Sequence, residues 1–451
     1  MLGAGPGGTG PLTWAAGAGL LRPWLERGVA IVDQQERMGG TVGRYALNAD
    51  TLADTFLECL EGVDRHAALA AMREDPAARA LDSFRGRLPP LALVGRFLGG
   101  LGDALAAEMQ QHPRSRFVAG VRVRALHLRA DGTIAADLAD DFGRRRTLQA
   151  ASAVLALGGR QQTDWRAIAL RPGLTLARWR HKIIPSDHLL TRDGALAAAE
   201  RLAGRRGSPP RAAILGGSHS AFSAAWMLLE RLPRIAFGDG GVSVLYRAAP
   251  RVFYPTRAAA TADSCAFMES DVCPATGRVH RLGGLRGDGR EMWRRMRSLD
   301  GEPAETRAVA RPIESLDTGE LAAQLDAANL IVPAFGYRLA TVPVFAAQGG
   351  RVRLADAGPS VDADARLRTA DGGVLPNVFG IGLGSGFRPW GLMAGEPGFR
   401  GQQNSLWLYQ HGLGALIHDN VRRWAAERCD RAAEIARLDH ASGLLTLRGA
   451  A

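Results

Sequence analysis

The sequence predicts an α/β protein built on two Rossmann-like dinucleotide-binding domains, and three observations predict it. Two glycine loops stand far apart in the chain, Gly3-Ala4-Gly5-Pro6-Gly7-Gly8 and Gly216-Gly217-Ser218-His219-Ser220-Ala221. Each is followed by a helix-compatible stretch and then by a short apolar run that closes on a charged residue. The length, 451 residues, leaves room for two to three domains at roughly 150 residues each.

The first unit fits G-x-G-x-x-G. A helix-compatible stretch runs from Thr9 to Glu26, and the strand Val29-Ala30-Ile31-Val32 ends in Asp33, 25 residues beyond Gly8. Gly3, Gly5 and Gly8 permit a tight turn and a close backbone approach to a pyrophosphate, and the helix start supplies free N–H groups. An acid at Asp33 is placed to accept hydrogen bonds from a ribose hydroxyl. The loop should follow a buried strand, yet only Met1 and Leu2 precede it. The expectation is either missing upstream residues or a substitute strand, since an absent central strand would leave its neighbours' edges unpaired.

The second unit has its strand in place, Arg211-Ala212-Ala213-Ile214-Leu215, before the loop residues Gly216, Ser218, His219 and Ser220. Phe222 to Leu232 reads as the helix, and Gly241 to Tyr246 as the next strand. That strand ends in Arg247, with Arg251 nearby. An arginine there pairs with a 2′-phosphate where an acid would repel it, so this nucleotide is expected to be NADPH.

Two dinucleotide sites in one chain imply hydride passing between two carriers. The chain resembles the two-dinucleotide-domain flavoproteins, and within them the class B flavin monooxygenases of the N-hydroxylating branch that acts on lysine and ornithine. Three segments carry the resemblance. The loop Gly216 to Ala221 is similar to that branch's G-G-G-Q-S-A, with His219 in place of Gln. Asp326 to Tyr337 is similar to its strand leading into A-T-G-Y, with Phe335 in place of Thr. Pro376 to Gly382 is similar to the C-terminal flavin-binding segment of the wider superfamily. Much of 46–150 and 255–325 lies outside these segments.

The resemblance implies an FAD-binding domain split around an NADPH-binding one. Val154 to Arg160 resembles the exit from the flavin domain, and Ala334 to Tyr337 the return. The bounds are then 1–165 and 340–451 for FAD and 205–335 for NADPH. The connector 166–204 carries a helix from Gly194 to Ala203. Residues 50–110 read as mainly helical with a break at Pro89-Pro90, and 116–156 as hairpin strands turning at Asp131-Gly132 and Asp141 to Gly143. The last helix is expected from about Gly401 to Arg423.

The implied activity is NADPH-dependent hydroxylation of an amine nitrogen of a small molecule or amino acid, with O₂, through a C4a-hydroperoxyflavin. The alternative is a flavin-dependent NAD(P)H oxidoreductase without oxygenation, and a third reading is a nucleotide-binding regulatory protein. Such chemistry asks little covalent work of the protein, so the residues to seek are backbone donors and small residues near the flavin. Gly39, Gly40 and Thr41 follow the strand that ends in Asp33, with Tyr45 close behind, and Gly382, Gly384 and Ser385 form a glycine turn in the second flavin segment. Both are expected to meet FAD.

Lys182 is the one lysine among 56 basic residues, and it sits in the connector, where a compact ammonium of adjustable pKa makes it a catalytic candidate. His219 is a candidate donor to the nicotinamide phosphates. Asn404 and Ser405 are candidate substrate contacts on the last helix, whereas Trp407 reads as packing. Cys265, Cys273, Glu269, Asp271 and His280 are too widely spaced for a metal site, so no metal is expected.

The net charge of +11 invites an anionic partner. The arginines are scattered and not interleaved with aromatics, so nucleic acid is not expected. No apolar run reaches the roughly 18 residues of a membrane span, and no signal peptide or C-x-x-C pair is present. The expectation is a cytoplasmic enzyme acting on small molecules, with a homo-oligomer allowed.

Overall fold

Residues 1–3 do the work of a strand in very little chain. Leu2 bridges in parallel to Val32 on one side and to Leu155 on the other. The Leu2 N–H donates to Val154 O at 2.8 Å, and the Gly3 N–H to Val32 O at 2.7 Å. In return, Leu2 O accepts from Ala156 N at 2.8 Å. Both neighbouring edges are thereby satisfied. Among the described residues no other segment substitutes for the short first strand.

The structure, a computed structural model, describes residues 1–203, 208–299, 304–356, 358–403 and 405–428. Through Leu2 the strands assemble into one sheet, in the order Arg366–Arg368, Val374–Gly380, Ala153–Leu155, residues 1–3, Ala30–Val32, Arg116–Val118. All pairings are parallel except that of Arg366–Arg368 with Val374–Gly380. The sheet draws strands from both ends of the chain. Its central strands read Ala-Ile-Val and Ala-Val-Leu, the continuous apolar runs of a sheet covered on both faces. Helices Pro6–Gly17 and Leu91–Gln110 pack with Leu21, Leu25 and Ile31 in a core on one side, and Val154, Leu155, Val378 and Phe379 join a second core.

A second parallel sheet runs in the order Ala308–Pro312, Val242–Tyr246, Ala212–Leu215, Leu330–Pro333. Helix His219–Glu230 covers one face with Phe222, Ala225 and Leu228, while Leu176, Trp179, Leu321 and Leu325 cover the other. The two sheets are joined by an antiparallel pair, Gly159–Arg160 with Arg338–Leu339, where the chain leaves the first sheet region and where it comes back.

The expected hairpins are present: Val121–Leu128, Ile134–Asp140 and Arg145–Ala150 pair antiparallel, turning at 129–133 and 141–144. Residues 50–110 are mainly helical, with Pro90 bridged to Asn48 at the break. Two helix boundaries differ from expectation. The stretch Thr9 to Glu26 forms two helices, Pro6–Gly17 and Leu21–Arg27, because Gly19 takes a left-handed conformation between them (φ 71°). The stretch expected as one last helix from about Gly401 forms two: Leu406–Gln410, where the Ser405 hydroxyl caps the start by accepting from Leu408 N at 3.2 Å, and a second from residue 412 onward, separated by a break at His411.

Candidate active site

Three backbone segments converge on the first glycine loop. Helix Pro6–Gly17 starts directly after Gly5, and no side chain caps it; Pro6 has no N–H and Gly8 N donates to Gly5 O at 2.9 Å, so within the first turn it is the Gly7 N–H that is left for an anion. Gly3 has φ 109°, and a Cβ on Gly8 would lie 1.8 Å from Gly3 O, so neither position admits a side chain. A Cβ on Gly40 would lie 2.8 Å from the Gly5 Cα, and one on Gly7 3.4 Å from the Gly382 Cα. The loops at Gly40 and Gly382 therefore face the helix start. Gly5 and Gly382 themselves have open space where a Cβ would point: nothing closer than 3.8 Å for the first, nothing within 4 Å for the second. Asp33, at the end of Ala30–Val32, accepts from Ala4 N at 2.6 Å and from Gln35 N at 2.8 Å. Its carboxylate is held at the mouth of the loop. This side-chain-free hollow with a carboxylate beside it fits the pyrophosphate and ribose of a dinucleotide.

Not every glycine expected there faces the hollow. Gly39 is buried with φ 113°, and its Cβ would lie 2.5 Å from Leu98 O, so it serves the packing of its loop on helix Leu91–Gln110. A Cβ on Gly384 would strike the Arg338 carbonyl carbon at 2.3 Å. Ser385 is buried, with its hydroxyl accepting from Phe387 N at 3.3 Å and its carbonyl from Ser360 N at 3.0 Å. Gly39 and Gly384 thus pack their α-carbons against neighbouring backbone and Ser385 turns its side chain inward, and all three shape the loops that carry Gly40 and Gly382. Thr41 is exposed beside Gly40.

The second loop is built on the same plan. Gly216 (φ 149°) passes so close to the neighbouring strand that a Cβ would lie 2.5 Å from Ala334 O. Helix His219–Glu230 opens at Ser218 with no side-chain cap, and Ser218 is exposed. Ser220 is half-buried in the first turn. Arg247 stands exposed just past Val242–Tyr246, without a side-chain hydrogen bond or ion pair to the described residues. It is available to a phosphate. His219 Nε2 accepts from Arg286 N at 3.1 Å, so the neutral ring carries its proton on Nδ1. Burial lowers its pKa, against the pull of Asp50, whose carboxylate lies 3.8 Å away.

The expectation for Lys182 is corrected. Its ammonium donates to Asp326 O at 2.6 Å and Leu325 O at 3.3 Å, the carbonyls that end helix Thr318–Ala327. A cation at a helix C-terminus completes orphan acceptors and the dipole. Trp179 and Arg178 hold the Asp326 carboxylate beside it, at 2.7 and 2.6 Å. The lysine is thus a structural cap. Ser405 spends its hydroxyl on the helix cap described above. Asn404 lies outside the described residues. Trp407 stacks on His411, with centroids 4.7 Å apart, as a packing residue does.

A cluster not anticipated from sequence joins three parts of the chain. Asp187, in the connector helix Ser186–Leu189, accepts from the Tyr45 hydroxyl, from the Tyr337 hydroxyl at 3.0 Å and from Arg44 at 2.8 Å. Gln161 fastens the helix start, accepting from Asp187 N at 3.2 Å and donating to the Ser186 hydroxyl at 2.7 Å. Burial, reinforced by the Asp187 carboxylate, raises the pKa of both tyrosines, so both stay protonated donors. Tyr337 belongs to Ala-Phe-Gly-Tyr, and Tyr45 follows the Gly40 loop. The only advance signal was the presence of these tyrosines in motif-bearing segments.

No protein-family model matches the chain. It is 33% identical over 433 residues to CMP-5′-(3-aminopropyl)phosphonate hydroxylase of Streptomyces rubellomurinus, covering 92% of this chain and 95% of that one. Among solved structures it is similar to the cadaverine monooxygenase of desferrioxamine biosynthesis from Erwinia amylovora, with a TM-score of 0.53, 13% identity and coverage of 93% of each chain. It is also similar to an ornithine N-hydroxylase of Kutzneria sp. 744, with a TM-score of 0.51, 14% identity, and coverage of 94% of this chain and 98% of the other. The fold is that of these flavoproteins, and the first relative spans nearly the whole chain. The chain thus belongs to the family of that phosphonate hydroxylase, and its fold, with two glycine cradles placed as described, is the one shared by the ornithine N-hydroxylase and the cadaverine monooxygenase.

Proposed function

We propose that this protein hydroxylates the terminal amine of an aminoalkylphosphonate carried on a cytidine nucleotide, using NADPH and O₂. The observation that carries this reading is the 33% identity to the CMP-5′-(3-aminopropyl)phosphonate hydroxylase, sustained over 92% of the chain.

FAD belongs in the first cradle, in a domain formed by 1–165 and 340–451. The parallel sheet that takes strands from both ends of the chain supports this division. The Gly3–Gly8 loop and the start of helix Pro6–Gly17 hold the pyrophosphate, Asp33 the ribose, and Gly40 and Gly382 leave room for the backbone to approach. NADPH belongs on 205–335, with Gly216, Ser218 and Ser220 at its pyrophosphate and Arg247 at its 2′-phosphate. When bound and reduced, the flavin supplies the activation of O₂. The protein's part is to hold the amine, exclude water and keep the two nucleotide regions in register, the last through Asp187. No described helix is long and apolar enough to cross a membrane, and the described cysteines are free thiols, which supports a cytoplasmic enzyme.

The test is product analysis. The purified yellow enzyme is mixed with NADPH, O₂ and the CMP-linked aminopropylphosphonate, or with ornithine, lysine or cadaverine. A hydroxylamine bearing one new oxygen from O₂, formed only from the phosphonate, is expected. NADPH oxidation without oxygen in any product would overturn the reading and favour the non-oxygenating oxidoreductase.

A further inference from the structure

A cavity of about 830 Å³ lies behind the loop that carries Gly382. Its walls are the return arm 337–344, the segment 351–360 and the loop 384–402. Five arginines line it, Arg338, Arg351, Arg353, Arg388 and Arg400, against one acid, Asp356. A volume of this order suits a mononucleotide-sized ligand.

The gathering of those arginines in one hollow is what sets the cavity apart. Elsewhere many arginines pair with an acid, as Arg257 does with Glu269, Arg144 with Asp140, Arg366 with Asp362 and Arg85 with Asp82, while Arg247 stands without one. None of the five lining arginines makes a side-chain hydrogen bond or ion pair with a described residue. Like charges gathered around one hollow repel one another and raise the local concentration of anions. A guanidinium matches phosphate and phosphonate oxygens bidentately. The hollow therefore has the charge, the donors and the size for a ligand with more than one phosphorus anion.

Its position ties it to the reaction site. Gln402 lines the cavity and accepts from Gly386 N at 2.9 Å, in the turn that continues from Gly382. Tyr337, also lining, reaches the Asp187 cluster. The two dinucleotides already have their own anion sites, at the two glycine loops. We infer that the arginine-lined cavity binds the phosphoryl and phosphonyl anions of the substrate's nucleotide end, fixing the substrate while its amine reaches toward the flavin side of the Gly382 loop. This inference rests on the substrate reading proposed above.

The experiment uses FAD-loaded enzyme, the CMP-linked amine as substrate and CMP as probe. Two double variants are compared with wild type: Arg351→Gln with Arg353→Gln, and Arg388→Gln with Arg400→Gln. The side chains are exposed and unpartnered, so the fold should be undisturbed, and Arg353→Lys provides a version that keeps the charge. Each double variant is expected to raise KM for the substrate roughly tenfold or more and to weaken CMP inhibition by the same factor. The kcat, the flavin content and KM for NADPH stay within about twofold, because none of these depends on the anchor. If wild type hydroxylates the substrate but the variants keep its KM and CMP inhibition, the site is overturned. A loss of flavin or a raised KM for NADPH would overturn it as well, by assigning the cavity to a cofactor. If wild type binds CMP, the variants do not, and the CMP-linked amine is not hydroxylated, the anion site stands and the substrate reading falls.

Discussion

Asp187 and Tyr337 meet at 3.0 Å although 150 residues separate them, and the same carboxylate receives the Tyr45 hydroxyl. One acid in the connector thus ties the segment after the Gly40 loop to the point where the chain returns from the second sheet. Replacing it strands two half-buried phenols. Asp187→Ala should lower stability by about 1–3 kcal/mol, read as a fall in Tm. It should also raise the fraction of NADPH oxidised without hydroxylamine formation. Tyr337→Phe should do the same more weakly. Unchanged Tm and unchanged coupling in Asp187→Ala would count against a role for the cluster.

Gly5→Ala separates binding from folding. Gly5 has an ordinary φ of −73° and room for a methyl group, so the chain should fold. The methyl group would project into the proposed pyrophosphate hollow. The variant should therefore purify folded but colourless, measured as wild-type circular dichroism with most of the flavin absorbance lost. Retention of full flavin would move the pyrophosphate elsewhere.

Arg247→Gln addresses the choice of nicotinamide. Losing one guanidinium-to-phosphate contact should raise KM for NADPH on the order of tenfold while leaving KM for NADH nearly unchanged. Steady-state kinetics with both cofactors decides it, and an equal rise for both would remove the 2′-phosphate role.

Lys182→Met tests the cap. Stability should fall by about 1 kcal/mol, with Lys182→Arg restoring most of it, and kcat should change little. A large loss of kcat with unchanged Tm would return Lys182 to the catalytic candidates.

The pH dependence of stability follows from two histidines, the buried His280 and the half-buried His219. Burial lowers the pKa of both His219 and His280 below the ordinary 6.5. The unfolded chain therefore takes up protons that the folded chain does not, and stability rises with pH through that range. It should be fully present above about 6.5 and be lost as pH falls below it. Denaturant midpoints measured between acid and neutral pH should show this decline, and His219→Gln should flatten part of it. A wild-type midpoint that stays constant on acidification would contradict it.

Sequence alone determined the two glycine cradles, the carboxylate of Asp33, the exposed Arg247 and the hairpins at Asp131-Gly132 and Asp141 to Gly143. These features are local: a turn, a helix start and the end of the next strand are specified by residues close in the chain. Tertiary structure decided the rest. Residues 1–3 serve as a strand only because Val32 and Leu155 come to flank Leu2. Lys182 became a helix cap because its partners, Leu325 and Asp326, lie 143 and 144 residues away. His219 Nε2 receives the N–H of Arg286, 67 residues away. The Asp187 cluster and the arginine-lined cavity are likewise sums of distant segments. A side chain's type limits what it can bind, but its partner is chosen by packing, which a linear pattern does not record.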